Sequence, residues 1–254
     1  MMVQLKQLVA YCNDLLVINE FNDYCPNGLQ VEGKANINRL VMGVTASQDL
    51  IDRAIERGAD ALLVHHGYFW KGEDASIVGL KKQRIARLLH NDISLLAYHL
   101  PLDAHEEYGN NVTLARQLGI QVNGVVDQGR AKGLLWYGEL EQKMTASELS
   151  GIITSKLKRQ PQHLPSSSQQ PIRTLAWCTG GAQGYIELAA DLGVDAYISG
   201  EVSEQTFHLA RELDIHYFSA GHHATESYGV QALGRHLADY FQLEAEFIDL
   251  FNPV

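Results

Sequence analysis

Two stretches of this chain align on each other without a gap, and that repeat constrains the fold more than any other feature. Residues 40–67, LVMGVTASQDLIDRAIERGADALLVHHG, and residues 175–202, LAWCTGGAQGYIELAADLGVDAYISGEV, superpose at an offset of 135 residues. Gln48 meets Gln183, Ile51 meets Ile186 and Ala54 meets Ala189; Gly58, Asp60 and Ala61 meet Gly193, Asp195 and Ala196. Each copy reads as strand, small-residue turn, helix, glycine, strand. Leu50, Ile51, Ala54 and Ile55 share one face of a helix over 48–57, and 61–64 is continuously apolar, as a strand covered on both faces should be. Gly58 and Gly193 stand where a helix C-cap favours a left-handed residue.

The likeness continues at a shorter offset. Residues 90–104, HNDISLLAYHLPLDA, match 212–226, ELDIHYFSAGHHATE, when Ile93 is set on Ile215, an offset of 122; LARQL at 114–118 then finds LGRHL at 233–237. The expected fold is therefore α/β: two intertwined, topologically similar lobes from an internal duplication, with mostly parallel sheets. Between the copies, 131–140 reads as a strand and 165–171 as a loop. The segment 145–160 reads as an amphipathic helix opened by a Thr145/Glu148 capping box. The first lobe is expected over 1–124, with a last strand within 243–254 able to return to it, and the second over 125–242.

Charge and composition remove several classes of function. Thirty acidic residues against 20 Lys and Arg give a net charge of −10, which argues against a grip on nucleic acid phosphates or an anionic membrane. With 46% hydrophobic and 20% charged residues, disorder and coiled coil are unlike this chain. No run approaches the roughly 20 apolar residues that span a bilayer. The opening MMVQLKQLVAYCNDLL lacks the features of a signal peptide and reads as an amphipathic helix through Leu5, Leu8, Val9, Cys12, Leu15 and Leu16. Cys12, Cys25 and Cys178 form no CxxC pair, which points to buried thiols in a reducing cytoplasm.

Histidine is the unusual residue, with 11 copies. Parallel sheets bind ligands beyond the carboxyl ends of their strands, and the repeat locates those ends. Strand 61–64 runs into His65, His66 and Gly67; strand 93–97 into His99, Asp103 and His105; strand 215–219 into His222, His223 and Glu226; strand 196–199 into Gly200 and Glu201. A single histidine at a strand end is usually a hydrogen-bonded structural residue, and His99, His105 or His223 taken alone reads that way. His65, His66, Asp103, His222 and Glu226 are a different matter, because they recur at equivalent tips. Imidazole with carboxylate suits zinc, manganese, iron or a similar first-row ion, and a set without cysteine argues against a structural thiolate zinc site. His222 and Glu226 share a face if a helix starts there. Five such ligands are enough for two divalent ions with open water positions.

At these residues the chain resembles a known family. VHHGYFW at 64–70, HLPLDAH at 99–105, GHHATE at 221–226 and the early turn NDYCPNGLQVEG at 22–33 are similar to the Nif-three-like proteins, also labelled GTP cyclohydrolase 1 type 2 homologues. The resemblance covers nearly the whole chain. It implies a pair of intertwined α/β lobes, a toroidal homohexamer, and a dinuclear site facing an inner cavity. By motif the implied ligands are His65, His66, Asp103, His222 and Glu226, the set already reached. The chain is similar to the short form, without a large domain between the lobes. It departs from many relatives at Leu100-Pro101, where they carry Thr-Asn, which changes the expected surroundings of Asp103.

Two metal ions lower the pKa of water and polarise the bond attacked, so hydrolysis is the natural reaction class. The label would place attack at C8 of a guanine nucleotide, opening its imidazole ring; a phosphoester or amide suits the ligands equally. His99, His105, His223 and Glu201 are candidate proton carriers by position, and Glu226, besides being a ligand, is a catalytic candidate with His99 and His223. Tyr68 and Trp70 can stack on a base or pack in the core. No P-loop and no GxGxxG after a strand is present. The competing class is a metal-loaded ring that binds a protein or nucleic acid partner or stores metal, which the acidic balance weakens for nucleic acid.

Overall fold

A computed structural model describes residues 2–254. The chain divides into two compact units. One holds the residues up to Gly109 together with Gly229–Phe251; the other holds Asn110–Tyr228 and Asn252–Val254.

The first unit is built on a five-stranded sheet, ordered Glu244–Phe247, Arg39–Thr45, Ala61–His66, Ser94–Ala97, Gly28–Val31. The first four strands are parallel, and Gly28–Val31 closes the edge antiparallel to Ser94–Ala97. Side chains alternate across the pleat, so each strand feeds two cores. Leu40, Met42, Leu63 and Leu96 face Leu5, Leu8 and Cys12 of helix Leu5–Leu15, together with Leu233 and Leu237 of helix His222–Phe241. Val41, Leu62, Val64 and Leu95 face Leu50, Ile51 and Ala54 of helix Gln48–Glu56 and Ile85 and Leu88 of helix Gly79–His90. Burial on both faces is why the run at 61–64 has no polar residue.

The second unit carries a six-stranded sheet, ordered Ile120–Val125, Trp136–Met144, Ile172–Trp177, Ala196–Ser199, His216–Ser219, Gln162–Leu164. Its central pairings, Ile172–Trp177 with Ala196–Ser199 and Ala196–Ser199 with His216–Ser219, are parallel; the flanking pairs are antiparallel. Leu175, Trp177, Ile198 and Phe218 pack with Leu149, Ile153 and Leu157 of helix Ala146–Leu157, whose first turn is closed by the expected box between Thr145 and Glu148. Helix Asn110–Leu118 and strand Ile120–Val125, expected with the first lobe, pack here instead: Leu114 and Leu118 join this core, and the strand pairs with Trp136–Met144.

The repeat has a physical basis at its clamps. Asp60 Oδ2 accepts the backbone N–H groups of Asn38 and Arg39; at the matching places, Asp195 Oδ2 accepts those of Arg173 and Thr174. Each aspartate thus pins the start of a neighbouring strand. Gly58 and Gly193 turn the chain into that aspartate with φ of +65° and +70°, where a Cβ would be strained. Asp92 and Asp214 occupy the next matching turn, each with φ of +52°. Among the described residues no helix is long and apolar enough to cross a membrane.

Candidate metal centre

In the first unit, strand Ala61–His66 ends on His65 and His66, and the short helix Leu100–Ala104 carries Asp103 in its last turn. Pro101 opens that helix, where its missing N–H costs nothing, so the Leu100-Pro101 departure is compatible with the turn that presents Asp103. The His65 ring is fully buried, and its Nδ1 lies 2.9 Å from the Tyr98 carbonyl. A carbonyl can only accept, so Nδ1 bears the proton and Nε2 the lone pair. That Nε2 is 3.5 Å from Asp103 Oδ1, on a side chain 7% exposed. Two lone pairs at this separation in a buried setting suit a cation between them. His66 Nδ1 lies 3.1 Å from the Thr45 hydroxyl. One donor nitrogen from each of His65, His66 and His99 falls within 4.8 Å of the others.

In the second unit, helix His222–Phe241 begins at the tip following strand His216–Ser219, and its first turn sets His222 Nε2 3.1 Å from Glu226 Oε2. The i, i+4 spacing read from the sequence thus places both on one helix face. Gly180 makes room for the pair. Its backbone N–H donates to the Thr225 hydroxyl, φ is +67°, and a Cβ there would overlap Glu226 Oε1. Glu201, expected as a proton carrier, instead holds His222: its Oε1 accepts from Nδ1 at 2.7 Å, while Gln183 Nε2 donates to its Oε2. Burial works against a charged His222 ring, but its bonds and charge interactions with Glu226 and Glu201 outweigh it and raise the pKa from 6.5 to about 9. Positive charge is welcome at this ring, and a metal ion at Nε2 would supply it in place of the proton.

The other tip residues do different work. His105 Nδ1 accepts N–H groups from Glu107 and Tyr108 and closes a turn. The His223 backbone N–H donates to the Val254 carbonyl. Tyr68 is buried and donates to the Ala46 carbonyl, while Trp70 meets His99 edge to face with ring centroids 5.0 Å apart. Asp23 is the residue that spacing does not reveal. Its carboxylate accepts from His99 Nδ1 at 2.7 Å, although 76 residues separate them. Burial alone would raise the pKa of Asp23; the His99, Asn27 and Tyr24 bonds outweigh it and hold the carboxyl below its ordinary value. The only hint in the sequence was the turn at 22–33, noted for its likeness to other proteins.

Residues 3–253 match the family described as Duf34/NIF3 (NGG1p interacting factor 3). The chain belongs to the Duf34/NIF3 family. Two curated relatives, both named GTP cyclohydrolase 1 type 2 homolog, come from Pseudomonas aeruginosa and Escherichia coli. The first is 54% identical, with 100% of each chain covered; the second is 49% identical, with 98% of each covered. Among solved structures, a protein called ybgI, described as of unknown function, superposes with a TM-score of 0.95 at 48% identity, covering 99% of this chain and 100% of its own. A protein from Thermus thermophilus gives 0.88 at 32% identity, again covering 99% and 100%. These NIF3 neighbours share the α/β architecture, and the buried His, Asp and Glu groups of this chain have the donor chemistry to hold first-row metal ions.

Proposed function

We propose that this chain is a metal-dependent hydrolase in which His65, His66, Asp103, His222 and Glu226 together hold two divalent ions, such as zinc, iron or manganese. The observation that carries the reading is a matched pair of couples, His65 with Asp103 and His222 with Glu226, each an imidazole facing a nearly buried carboxylate. Two couples of this kind suit two ions. When bound, such a pair lowers the pKa of water and polarises the bond under attack. The chain's own part is to fix the donors. Tyr98 and Glu201 hold the rings of His65 and His222 so that Nε2 is presented, and Gly180 leaves Glu226 its place. Glu226, a ligand in this reading, is also placed to take the proton that water gives up, with His223 next to the ligand His222 as a further carrier.

The name shared by the relatives makes a nucleotide the first substrate to try, by opening of the guanine imidazole ring; a phosphoester is the second. The experiment is a screen of metal-loaded protein against nucleotides, phosphoesters and amides, read by mass spectrometry. Turnover that falls by roughly 10²–10⁴-fold in Glu226→Gln supports the assignment. Metal uptake without any turnover supports a binding ring instead, and turnover untouched by the substitution overturns catalysis at this site. A homohexamer and a cytoplasmic location belong to the same reading. Light scattering should find six chains of 28.2 kDa per particle, and no disulfide joins Cys12, Cys25 or Cys178.

A further inference from the structure

Four histidines share one manner of attachment. His65, His66, His99 and His222 are each contacted at Nδ1: by the Tyr98 carbonyl at 2.9 Å, the Thr45 hydroxyl at 3.1 Å, the Asp23 carboxylate at 2.7 Å and the Glu201 carboxylate at 2.7 Å. Holding Nδ1 fixes the ring and presents Nε2, which is how proteins commonly orient an imidazole toward a metal. Histidines with other duties bond differently. His105 uses Nδ1 as an acceptor, His236 uses Nε2 against the Tyr11 hydroxyl, and His163 and His216 bond to each other. Three of the four Nδ1-held rings are ligands in the reading above; His99 is the fourth.

The surroundings of His99 are built to keep it in place. Asp23 has a side chain only 3% exposed, and both its oxygens are engaged. Oδ1 accepts from the Tyr24 N–H and His99 Nδ1, and Oδ2 from Asn27 Nδ2 and the Leu100 N–H. Asn27 Oδ1 also accepts the His99 backbone N–H at 2.7 Å, so ring and backbone are anchored by the same turn. The His99 ring centroid lies 5.0 Å from that of His65 and 5.7 Å from that of His66. Three imidazoles whose donor nitrogens gather within 4.8 Å of one another offer a cation a common place, and a carboxylate behind the ring strengthens Nε2 as a donor.

We infer that His99 is a further metal ligand, acting through Nε2 on the His65–His66 side of the centre, and that Asp23 is its positioning carboxylate. This rests on the metal reading proposed above, and it gives His99 a ligand's role in place of the proton carrier's role suggested by its position in the sequence. The site on that side then has three imidazoles, a donor set suited to zinc, iron or cobalt.

The test is cobalt loading of the full chain, read by visible absorption and by competition with a chromophoric chelator. Wild type, His99→Ala, His99→Gln, Asp23→Asn and, as a control, His105→Ala are compared. The expected result is an altered cobalt spectrum in both His99 variants, with affinity for one ion weakened more than in Asp23→Asn, itself weakened roughly 10–100-fold. Added imidazole should restore the spectrum of His99→Ala, which a purely structural role for the ring would not allow. His99→Gln keeps most of the side-chain volume and carries the test if the alanine variant does not fold. Wild-type uptake with unchanged spectra and affinities in the His99 variants overturns this inference alone. A wild-type protein that takes up no cobalt overturns the metal reading and this inference with it.

Discussion

Asp60 in the first unit and Asp195 in the second do the same job at the same step of the repeat. Each receives two backbone N–H groups from the start of a neighbouring strand. Beyond the strands the two units part company. The first carries His65 and His66 where the second carries Gly200 and Glu201, so one tip offers two imidazoles and the matching tip offers a carboxylate that holds an imidazole on another element. The lesson is a division of labour within a duplicated frame. Clamps and turns are kept because every strand pairing depends on them. The tips diverge because the ladder there is held by backbone groups, as where the His66 carbonyl accepts the Ala46 N–H, so the side chains at the strand ends can differ without changing the register.

The largest effect expected on this frame comes from its cores. Trp177 is fully buried in the second unit and donates through Nε1 to the Asn111 carbonyl, and Leu62 is fully buried in the first. Trp177→Ala should cost about 3–5 kcal/mol and Leu62→Ala about 2–5 kcal/mol in denaturant unfolding. A small loss in one alone would mean that its core collapses around the vacancy and that the two cores are not equally packed.

Next come the clamps. Asp60→Ala and Asp195→Ala should each cost about 1–3 kcal/mol, because each strands two backbone donors. A neutral result at either aspartate breaks the equivalence drawn between the repeats. Acid sharpens the first case. Burial alone would raise the pKa of Asp60, but Lys34 and the backbone N–H groups of Arg39 and Asn38 outweigh it and hold the carboxyl below 3.8. Its contribution is therefore complete above that value and is lost as pH falls through the lowered one, so Asp60→Asn should show less loss of stability below about pH 4 than wild type.

The smallest effect is expected at helix starts. Ser47 caps helix Gln48–Glu56 through one bond to the Leu50 N–H, and Thr145 caps helix Ala146–Leu157 through a reciprocal box with Glu148. Each alanine variant should cost about 1 kcal/mol by thermal unfolding, with Thr145→Ala the larger because it also loosens Glu148.

Much of this was legible in the sequence because it is local. The apolar run at 61–64 marks a strand covered on both faces, the Gly-x-Asp-Ala step and the Thr145 box are short turn and cap patterns, and the His222/Glu226 spacing follows the helical period of 3.6 residues. What was not legible depends on partners brought together by folding. Strand Trp136–Met144 pairs antiparallel beside Ile172–Trp177, whereas the matching place in the first unit is taken by the parallel strand Glu244–Phe247. Nothing in either strand's own pattern says which neighbour it takes. The same holds for Asp23 behind His99 and Glu201 behind His222. A carboxylate that fixes an imidazole leaves no periodic trace, because the requirement is one hydrogen bond between segments distant in sequence and many loop positions can supply it.

Gly180 has a consequence for how this protein can vary. A Cβ at that position would overlap a Glu226 oxygen. Any single-base change in a glycine codon that alters the residue adds a side chain, so no one-step amino-acid replacement leaves the carboxylate where it sits. The loop can drift at the exposed Gly181, but Gly180 is closed to gradual change unless Glu226 moves with it.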